Sequence, residues 1–455
     1  MRQAMQSAGC RPTDALRVRR VFLRRLGVAG VLLLAVMFGG CAKAVREPVT
    51  ITFLDPEWSH DLEVRRPLSA EALQEFTRET GILVKHIPGP ETAPDQLKLT
   101  AGLLKTGAVT PDVYGIDVIW PGILSDYLVD LKPYFASQLA TEDPVVLANF
   151  TVQDRLVAMP FHSNIGIFYY RTDLLEKYGY RLPPKTWDEM EKMAAKIQAG
   201  ERAQGGKDFW GFVWPGADSE GLTCLGVEWQ ADEDGGHIIE TDGKISVNNA
   251  NAMRAWERAA RWVGTISPPS VTSYQEWDAS NAFWITGRAA FFRGWMSDFF
   301  LTHPLAVPYR DKSGMTSVPG GRAARVSTLG GFGLGVSKTS PHREEAVKLV
   351  KFLTERGARL NAQYARSEPP PRPETYELPT LLKAYASVRK PGEGQGGGVV
   401  TRPSNIAGAK YDEVSEAYAR AVHAVLTGKA RAPQVAADLE KELVSITGFA
   451  ASRQH

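Results

Sequence analysis

Apolar residues along this chain recur first with the two-residue period of a strand and then with the spacing of a helix, in alternation. Strand periods cover residues 49–53, 82–87 and 111–116, and helical segments over residues 69–81 and 95–105 lie between them. Parallel strands need a crossover connection, which is usually a helix. The alternation therefore predicts an α/β fold in which helices cover largely parallel sheets.

Two later helices are predicted from the residues at their ends. Thr186 and Glu189 form a capping box in front of apolar residues with helical spacing. Ser340 and Pro341 open another helix, since proline is tolerated at the first helical position, and Gly357 is expected to end it.

The N-terminus has the layout of an export signal. Five arginines between residues 17 and 25 precede an apolar run, residues 26–38, which is shorter than the roughly 20 residues needed to cross a bilayer. The sequence from Phe38 to Cys41 resembles the lipobox of bacterial lipoproteins, in which the cysteine becomes the lipidated first residue, although leucine is usual where Phe38 stands. We therefore expect residues 1–40 to be an export signal and residues 41–47 to be a tether.

Removal of the export signal changes the charge of the chain. Residues 1–40 contain seven arginines and one aspartate, so the formal charge goes from +2 to −4, with 46 basic and 50 acidic side chains left. This leaves no electrostatic argument for nucleic-acid binding.

Cys224 is then the only cysteine besides Cys41, which excludes an intramolecular disulfide and a cysteine zinc site. The rest of the 455-residue chain exceeds the size at which one core stops growing, so two lobes are expected.

Catalytic motifs are absent from the sequence. It contains no His-Glu-x-x-His, Gly-x-Ser-x-Gly or Walker A pattern, and residues 330–335 lack the Gly-x-Gly-x-x-Gly spacing of a dinucleotide site. Glu57 and Asp117 could form the carboxylate pair of a glycoside hydrolase, since that reaction needs two suitably spaced acids. We expect no catalytic residue, metal or cofactor, and a secreted carbohydrate-active hydrolase remains the alternative.

Several tryptophans stand in stretches that also carry acids or amides. A sugar offers an apolar C–H face and a rim of hydroxyls, so a protein that binds it needs flat aromatic surfaces beside fixed donors and acceptors. For any single tryptophan, burial in a core is the competing explanation. The tryptophans in such company are Trp58, Trp120, Trp277, Trp284 and Trp295.

Short motifs over nearly all of the chain after Cys41 resemble family 1 extracytoplasmic solute-binding proteins, in the order found in that family. They are Pro111-Asp112-Val113, Leu128-Val129-Asp130-Leu131, residues 159–161, 169–179 and 183–189, Phe283-x3-Gly287-x-Ala289-Ala290-Phe291 and Gly335-Val336-Ser337-Lys338. Residues 115–122 are most similar to trehalose/maltose-type receptors.

The resemblance implies two α/β lobes with the ligand in the cleft between them. Residues 48–161 and 305–365 would form lobe 1, and residues 162–304 and 366–455 would form lobe 2. We also expect a monomer that is held outside the cytoplasm at the membrane by the lipid on Cys41, which the lipobox resemblance implies. This receptor would capture a sugar, such as trehalose or maltose, and pass it to the permease subunits of an ABC importer. A receptor for a non-sugar solute is the other alternative.

The resemblance also carries a ligand site onto this sequence. Glu57 and Asp117 would accept hydrogen bonds from sugar hydroxyls, and Asn164 would both donate and accept. Trp295 would stack on the sugar ring, and Arg402 would bridge two hydroxyls with its planar fork of donors. The expected ligand contacts are Glu57, Asp117, Asn164, Trp277, Trp295, Leu329, Gly330, Gly331 and Arg402, with residues 329–331 forming a loop that approaches the ligand through its backbone.

Overall fold

The computed structural model describes residues 47–55, 68–90, 93–140, 142–296, 309, 312–323, 325–366 and 398–452. The predictions for the export signal, the lipidated Cys41 and the ligand contact Glu57 lie outside these ranges. No helix within the ranges combines the length and the apolar character that crossing a membrane requires.

The predicted alternation of strands and helices is present. The strands are β1 (Thr50–Asp55), β2 (Leu83–Pro88), β3 (Val113–Asp117), β4 (Thr151–Val152), β5 (Arg155–Leu156), β6 (Met159–Arg171), β7 (Trp210–Val213), β8 (Ala289–Trp295), β9 (Ser313–Thr316), β10 (Val326–Val336) and β11 (Gly398–Val400). The α-helices are α1 (Leu68–Thr80), α2 (Ala93–Lys105), α3 (Pro121–Leu124), α4 (Ala136–Leu139), α5 (Pro144–Asn149), α6 (Thr172–Lys177), α7 (Trp187–Ala203), α8 (Glu220–Asp232), α9 (Ala250–Trp262), α10 (Glu276–Trp284), α11 (Arg343–Arg366), α12 (Ser404–Ala407), α13 (Tyr411–Leu426) and α14 (Ala432–Thr447).

One mixed sheet runs through the molecule in the order β2-β1-β3-β10-β6-β8-β7, with β11 beside β10 and β9 beside β6. Strands β1, β2 and β3, which α1 and α2 connect in turn, pair in parallel, as do β7 with β8 and β10 with β11. The two long strands β10 and β6 run antiparallel to each other. Strand β10 is also antiparallel to β3, and β6 is also antiparallel to β8. The α/β prediction is confirmed, but the sheet is mixed rather than largely parallel, because its neighbouring central strands β3, β10, β6 and β8 pair antiparallel.

Two hydrophobic cores lie along this sheet. The first contains Ile51 and Val113 with residues of α1 and α11, and the second contains Trp187 with residues of α7, α8, α9, α13 and α14. Neighbouring residues of β6 serve different cores, Phe168 the second and Tyr169 the first, because side chains alternate between the faces of a strand. The residue boundaries expected for the two lobes stay a prediction.

The capping residues in the sequence located the starts of α7 and α11 more accurately than Gly357 located the end of α11. Thr186 caps α7 by accepting a hydrogen bond from the Glu189 amide at 3.2 Å, as the capping box predicted. The later helix, α11, begins at Arg343 rather than at Pro341, and the prediction that Gly357 ends it is wrong, because α11 continues to Arg366. Glycine inside a helix costs about 1 kcal/mol relative to alanine, so it does not by itself end one.

The glycine-rich strand β10 is shaped by close packing. A Cβ atom built on Gly333 would lie 2.9 Å from Cε1 of Phe150, and one on Gly335 would lie 3.0 Å from Cγ1 of Ile116. A contact as short as the one at Gly333 is essentially never found for real Cβ atoms, and a contact as short as the one at Gly335 is rare. Glycine lets β10 lie against the first core here, which accounts for the composition that the sequence shows at residues 330–335.

Candidate functional site

Four neighbouring strands, β3, β10, β6 and β8, carry most of the predicted ligand contacts. Asp117 at the end of β3 pairs with β10, where Gly330 is opposite Asn164 of β6. Trp295, the last residue of β8, is opposite Gly166 of β6. The strand pairing therefore places the acid Asp117, the amide Asn164 and the indole Trp295 on strands in the centre of the sheet.

Residues 329–331 are part of strand β10, so the prediction that they form a loop is wrong. The backbone of all three pairs with β6, and the Gly331 carbonyl accepts from the Val118 amide at 3.1 Å. The Leu329 side chain is 1% exposed and belongs to the first core. A ligand can therefore meet Leu329 through its backbone but not through its side chain.

The indole of Trp295 is held from two sides. The Cζ atom of Arg293 lies over the ring, 4.7 Å from its centroid, and Nε1 of the indole donates to Oε1 of Glu276 at 2.9 Å. A Cβ atom on Gly330 would come within 2.8 Å of the ring, so glycine is needed where β10 passes. A small opening adjoins the ring, lined by Pro215, Glu276, Phe292, Arg293, Gly294 and Trp295.

Asp117 is a buried carboxyl, only 9% exposed, that accepts a hydrogen bond from the Ile119 amide at 3.1 Å. Burial raises its pKa to about 6, because the charged form loses its hydration. The Arg402 guanidinium opposes this rise in the pKa, and the like charges of Glu220 and Glu276 add to it. Asp117 therefore titrates near the edge of the physiological range.

Arg402 precedes helix α12, and its side chain is only 5% exposed. Its Nη1 donates to Oε1 of Glu220 at 2.8 Å, and its Nη2 donates to the Leu329 carbonyl at 2.9 Å. Within the described residues, its buried Nε has no hydrogen-bond partner. A buried donor of this kind is costly unless something accepts from it, so Arg402 has capacity for a further polar partner.

Glu220 begins α8, where the helix dipole favours a negative charge. Besides Arg402 it accepts hydrogen bonds from the Tyr411 hydroxyl, at 2.6 Å, and from the Ser415 hydroxyl. Both donors lie on α13. The carboxylate thus joins α8, α13 and the segment before α12 around the guanidinium.

A buried ion pair lies behind Trp295. Arg293 Nη2 and Glu228 Oε2 are 2.9 Å apart, and their side chains are 1% and 0% exposed. Glu228 also accepts from the Thr328 amide of β10 at 3.2 Å, and Gly166 of β6 approaches so closely that a Cβ atom would meet Arg293 Nη2 at 2.3 Å. The pair therefore ties α8 and three central strands together.

The other predicted residues lie in different surroundings. Trp277, in the first turn of α10, is 71% exposed, although its neighbour Glu276 bonds Trp295. Asn164 accepts from the adjacent Ile165 amide at 3.0 Å. Trp120 and Trp284 are buried in the first core, which supports burial as the explanation for those two tryptophans.

The sequence analysis did not identify the three glutamates around the site, Glu220, Glu228 and Glu276. One signal was available for Glu228, which is the only charged residue between Leu222 and Gln230 in a helix of otherwise apolar and small residues. Charged residues are almost never fully buried unless they are paired, so its position indicated a buried partner. Nothing in the sequence connects Glu220 with Arg402, 182 residues away.

Known proteins share this architecture. The family described as bacterial extracellular solute-binding protein matches residues 62–359. A probable ABC transporter-binding protein of Deinococcus radiodurans is 36% identical over 425 residues, which cover 92% of this chain and 98% of the relative. A lactose-binding protein of Rhizobium radiobacter is 25% identical over 66% of this chain and 73% of its own length.

A solved structure agrees with the sequence relatives. Maltose-bound T. maritima MalE3 superimposes with a TM-score of 0.72 at 33% identity, covering 88% of this chain and 100% of the other. The fold is thus the two-lobed one of periplasmic binding proteins. The chain belongs to the family of bacterial extracellular solute-binding proteins.

Proposed function

We propose that this protein captures a sugar, such as maltose or trehalose, at the site formed by Asp117, Trp295 and Arg402, and delivers it to an ABC importer. The observation that carries the proposal is that these three side chains, which differ in chemistry, lie around the same central strands. Asn164 and the backbone of residues 329–331 lie on the same ladder.

The three side chains offer what a sugar requires. An indole provides a flat apolar surface for the C–H face of a sugar ring. A carboxylate accepts hydrogen bonds from hydroxyls, and these charge-assisted bonds are about twice as strong as neutral ones. A guanidinium with a spare donor can hold a hydroxyl oxygen, and the unpartnered Nε of Arg402 is such a donor.

The relatives support a sugar as the ligand. The T. maritima structure contains maltose, and the R. radiobacter relative is a lactose-binding protein. Both the family and these relatives are solute-binding proteins, so we propose binding without catalysis. The hydrolase alternative needed Glu57 as the partner of Asp117, and Glu57 lies outside the described residues.

Capture would work by closure of two lobes, residues 48–161 with 305–365 and residues 162–304 with 366–455. Strand β6 has residues in both ranges, and the first hydrophobic core also combines them, since it holds Ile51 and Val113 together with Tyr169 and Trp284. A ligand that touches both lobes gains its full set of contacts only in the closed form, so it shifts the population toward closure. Permease subunits would recognise the closed form.

We further propose that Cys41 carries a lipid that holds the monomer at the membrane, with residues 41–47 as the tether. Mass spectrometry of the mature N-terminus tests this, since a lipidated Cys41 adds the mass of its acyl groups. A mature chain that begins at an unmodified residue would contradict lipidation but not sugar capture.

A thermal-shift screen of the protein without its export signal tests the function. A ligand that binds the folded state raises Tm by mass action, so maltose, trehalose and lactose are compared at one low concentration with sucrose and with spermidine. We expect a saturable rise with at least one of the first three sugars. Chromatography of the same samples should show the sugar unchanged.

Two results would overturn the proposal. A rise in Tm with spermidine and with no sugar would indicate a receptor for a cationic solute. Release of monosaccharides from a disaccharide would indicate a hydrolase.

A further inference from the structure

Arg402 interacts electrostatically with two carboxylates but forms an ion pair with only one of them. Glu220 is paired with it at 2.8 Å, whereas Asp117 is in no ion pair within the described residues. Asp117 and Arg402 are nonetheless electrostatically coupled. Their chain segments also meet, since the Ser404 hydroxyl donates to the Val118 carbonyl at 3.4 Å.

A guanidinium and a carboxylate that are both buried, as Arg402 and Asp117 are, attract each other more strongly than in water, because the local dielectric is low. If the Arg402 guanidinium moved to pair with the Asp117 carboxylate, its N–H donors and the carboxylate oxygens would be occupied by each other. Neither would then be free for hydroxyl groups of a ligand. Something in the fold has to resist that movement.

Two anchors hold the guanidinium where it is. Nη1 is held by Glu220 and Nη2 by the Leu329 carbonyl of β10, which leaves Nε without a described partner. The Leu329 carbonyl is a fixed part of the β-ladder. The other anchor, Glu220, is a side chain and has to be fixed itself.

Glu220 is fixed by two hydroxyls of α13. Tyr411 donates to Oε1 at 2.6 Å, and Ser415 donates to Oε2. Tyr411 is fully buried, and Ser415 is 4% exposed. Since both oxygens are engaged by a packed helix, the carboxylate cannot follow Arg402 toward β3.

We propose that Glu220 is a positioning residue that holds Arg402 away from Asp117, so that the guanidinium and the carboxyl remain two separate contacts for a hydroxylated ligand. The inference rests on the proposed sugar function and deepens it. Glu220 would act through Arg402 and need not touch the ligand.

The charged and titratable groups around this arrangement come from several elements. Asp117 is influenced by Arg402, Glu220 and Glu276. Glu220 influences Tyr411, Asp412 and Cys224 in turn. Burial raises the pKa of Asp117 to about 6, which lies within the range where sugar binding is measured.

Glu220→Gln tests the proposal, because glutamine keeps the shape and an acceptor oxygen but has no charge to hold Arg402. We expect sugar affinity at neutral pH to fall about tenfold, the size of one charge-assisted hydrogen bond. The pH at which binding is half lost should also move down. Loss of a like charge and gain of Arg402 as a direct partner both lower the pKa of Asp117.

The double variant Asp117→Asn/Glu220→Gln separates positioning from a merely structural role. In the Asp117→Asn background no carboxylate at residue 117 can attract Arg402. Glu220→Gln should therefore cost clearly less affinity in Asp117→Asn than in the wild type. Glu413→Gln is the matched control, an exposed glutamate of α13 that pairs only with Lys410 among the ion pairs of the described residues. It should bind sugar as the wild type does.

Three outcomes would overturn the inference. The first is wild-type affinity and pH profile in Glu220→Gln, and the second is an equal loss of affinity on Glu220→Gln in both backgrounds. If Glu220→Gln does not fold, Glu220→Asp, which keeps the charge on a shorter side chain, should show both changes at smaller size, and wild-type behaviour there counts against it. A wild-type protein that binds no sugar instead contradicts the proposed function.

Discussion

Gly330 of β10 lies against the indole of Trp295 at a distance that leaves no room for a side chain, since a Cβ atom on Gly330 would be 2.8 Å from Cζ3. The smallest substitution at this position should therefore displace the indole. We expect Gly330→Ala to weaken sugar binding at least about tenfold while it costs about 1–3 kcal/mol of stability, the usual range for overpacking.

Calorimetric titration and urea unfolding of Gly330→Ala measure the two effects separately. Gly398→Ala in β11 is the matched control, because its Cβ atom would meet Val326 at an ordinary 3.7 Å. A Gly330→Ala protein with unchanged affinity would show that the position of the indole does not matter for the ligand.

Removal of the Trp295 ring should abolish most of the affinity and leave the fold intact, because the ring is partly exposed at a strand end. Truncation of a central tryptophan in a binding site costs about 2 kcal/mol or more, so we expect Trp295→Ala to bind at least about thirtyfold more weakly. Trp277→Ala, at a side chain 71% exposed, should cost less. Equal affinity of Trp295→Ala and wild type in calorimetry would refute this assignment of the site.

Asp117 should make sugar binding depend on pH. Its pKa is raised to about 6, mainly by burial, so the carboxyl gains its proton and loses a charged acceptor as the pH falls through this value. Affinity should therefore decrease below pH 6, and Asp117→Asn should remove this step and bind weakly at every pH. Titrations at several pH values, with Glu413→Gln as a control of unchanged profile, measure the effect.

The same raised pKa predicts a gain of stability in Asp117→Asn. A group with a higher pKa in the folded state stabilises the fold below its unfolded pKa of 3.8, and this contribution is lost as the pH rises through about 6. The ionised carboxyl therefore costs up to about 3 kcal/mol at neutral pH. The free energy of unfolding of Asp117→Asn should exceed that of wild type at neutral pH and approach it in acid.

The buried pair of Arg293 and Glu228 should show a large difference between single and double variants. Arg293→Met leaves an unpaired buried carboxylate, which costs about 3–5 kcal/mol, whereas Arg293→Met with Glu228→Leu should recover most of that stability. Urea unfolding measures both. A double variant as unstable as the single one would mean that the pair is needed for more than mutual neutralisation.

The sequence determines the flanks of the sheet better than its centre. Residues 49–53, 82–87 and 111–116 were recognised as strands because each has a short apolar period bounded by turns. The pairing of β10 with β6 depends on contacts between residues 164 and 330, which no local pattern encodes. Residues 329–331 were expected in a loop because the resemblance implied one there, and no local pattern contradicted it.

The candidate site was also predicted only in part, because some of its contacts join distant parts of the chain. Trp295 and Asp117 were predicted as ligand contacts because the resemblance to family 1 solute-binding proteins carries such contacts onto their positions. Glu220 was not identified, because an acid at the start of a helix is usual and its bond to Arg402 is a product of the tertiary fold. Sequence patterns report periodicity along the chain, and they carry little information about which distant charges meet.

The crowding around β10 also limits how this receptor can diversify. At Gly330 and Gly333 a single added methyl group would lie within 3 Å of a neighbour, so substitutions there should disturb packing before they can alter ligand choice. New specificities have to arise at positions with more space, such as Trp277. A library for redirecting the protein toward another solute should therefore hold the glycines of this strand constant and vary the exposed rim.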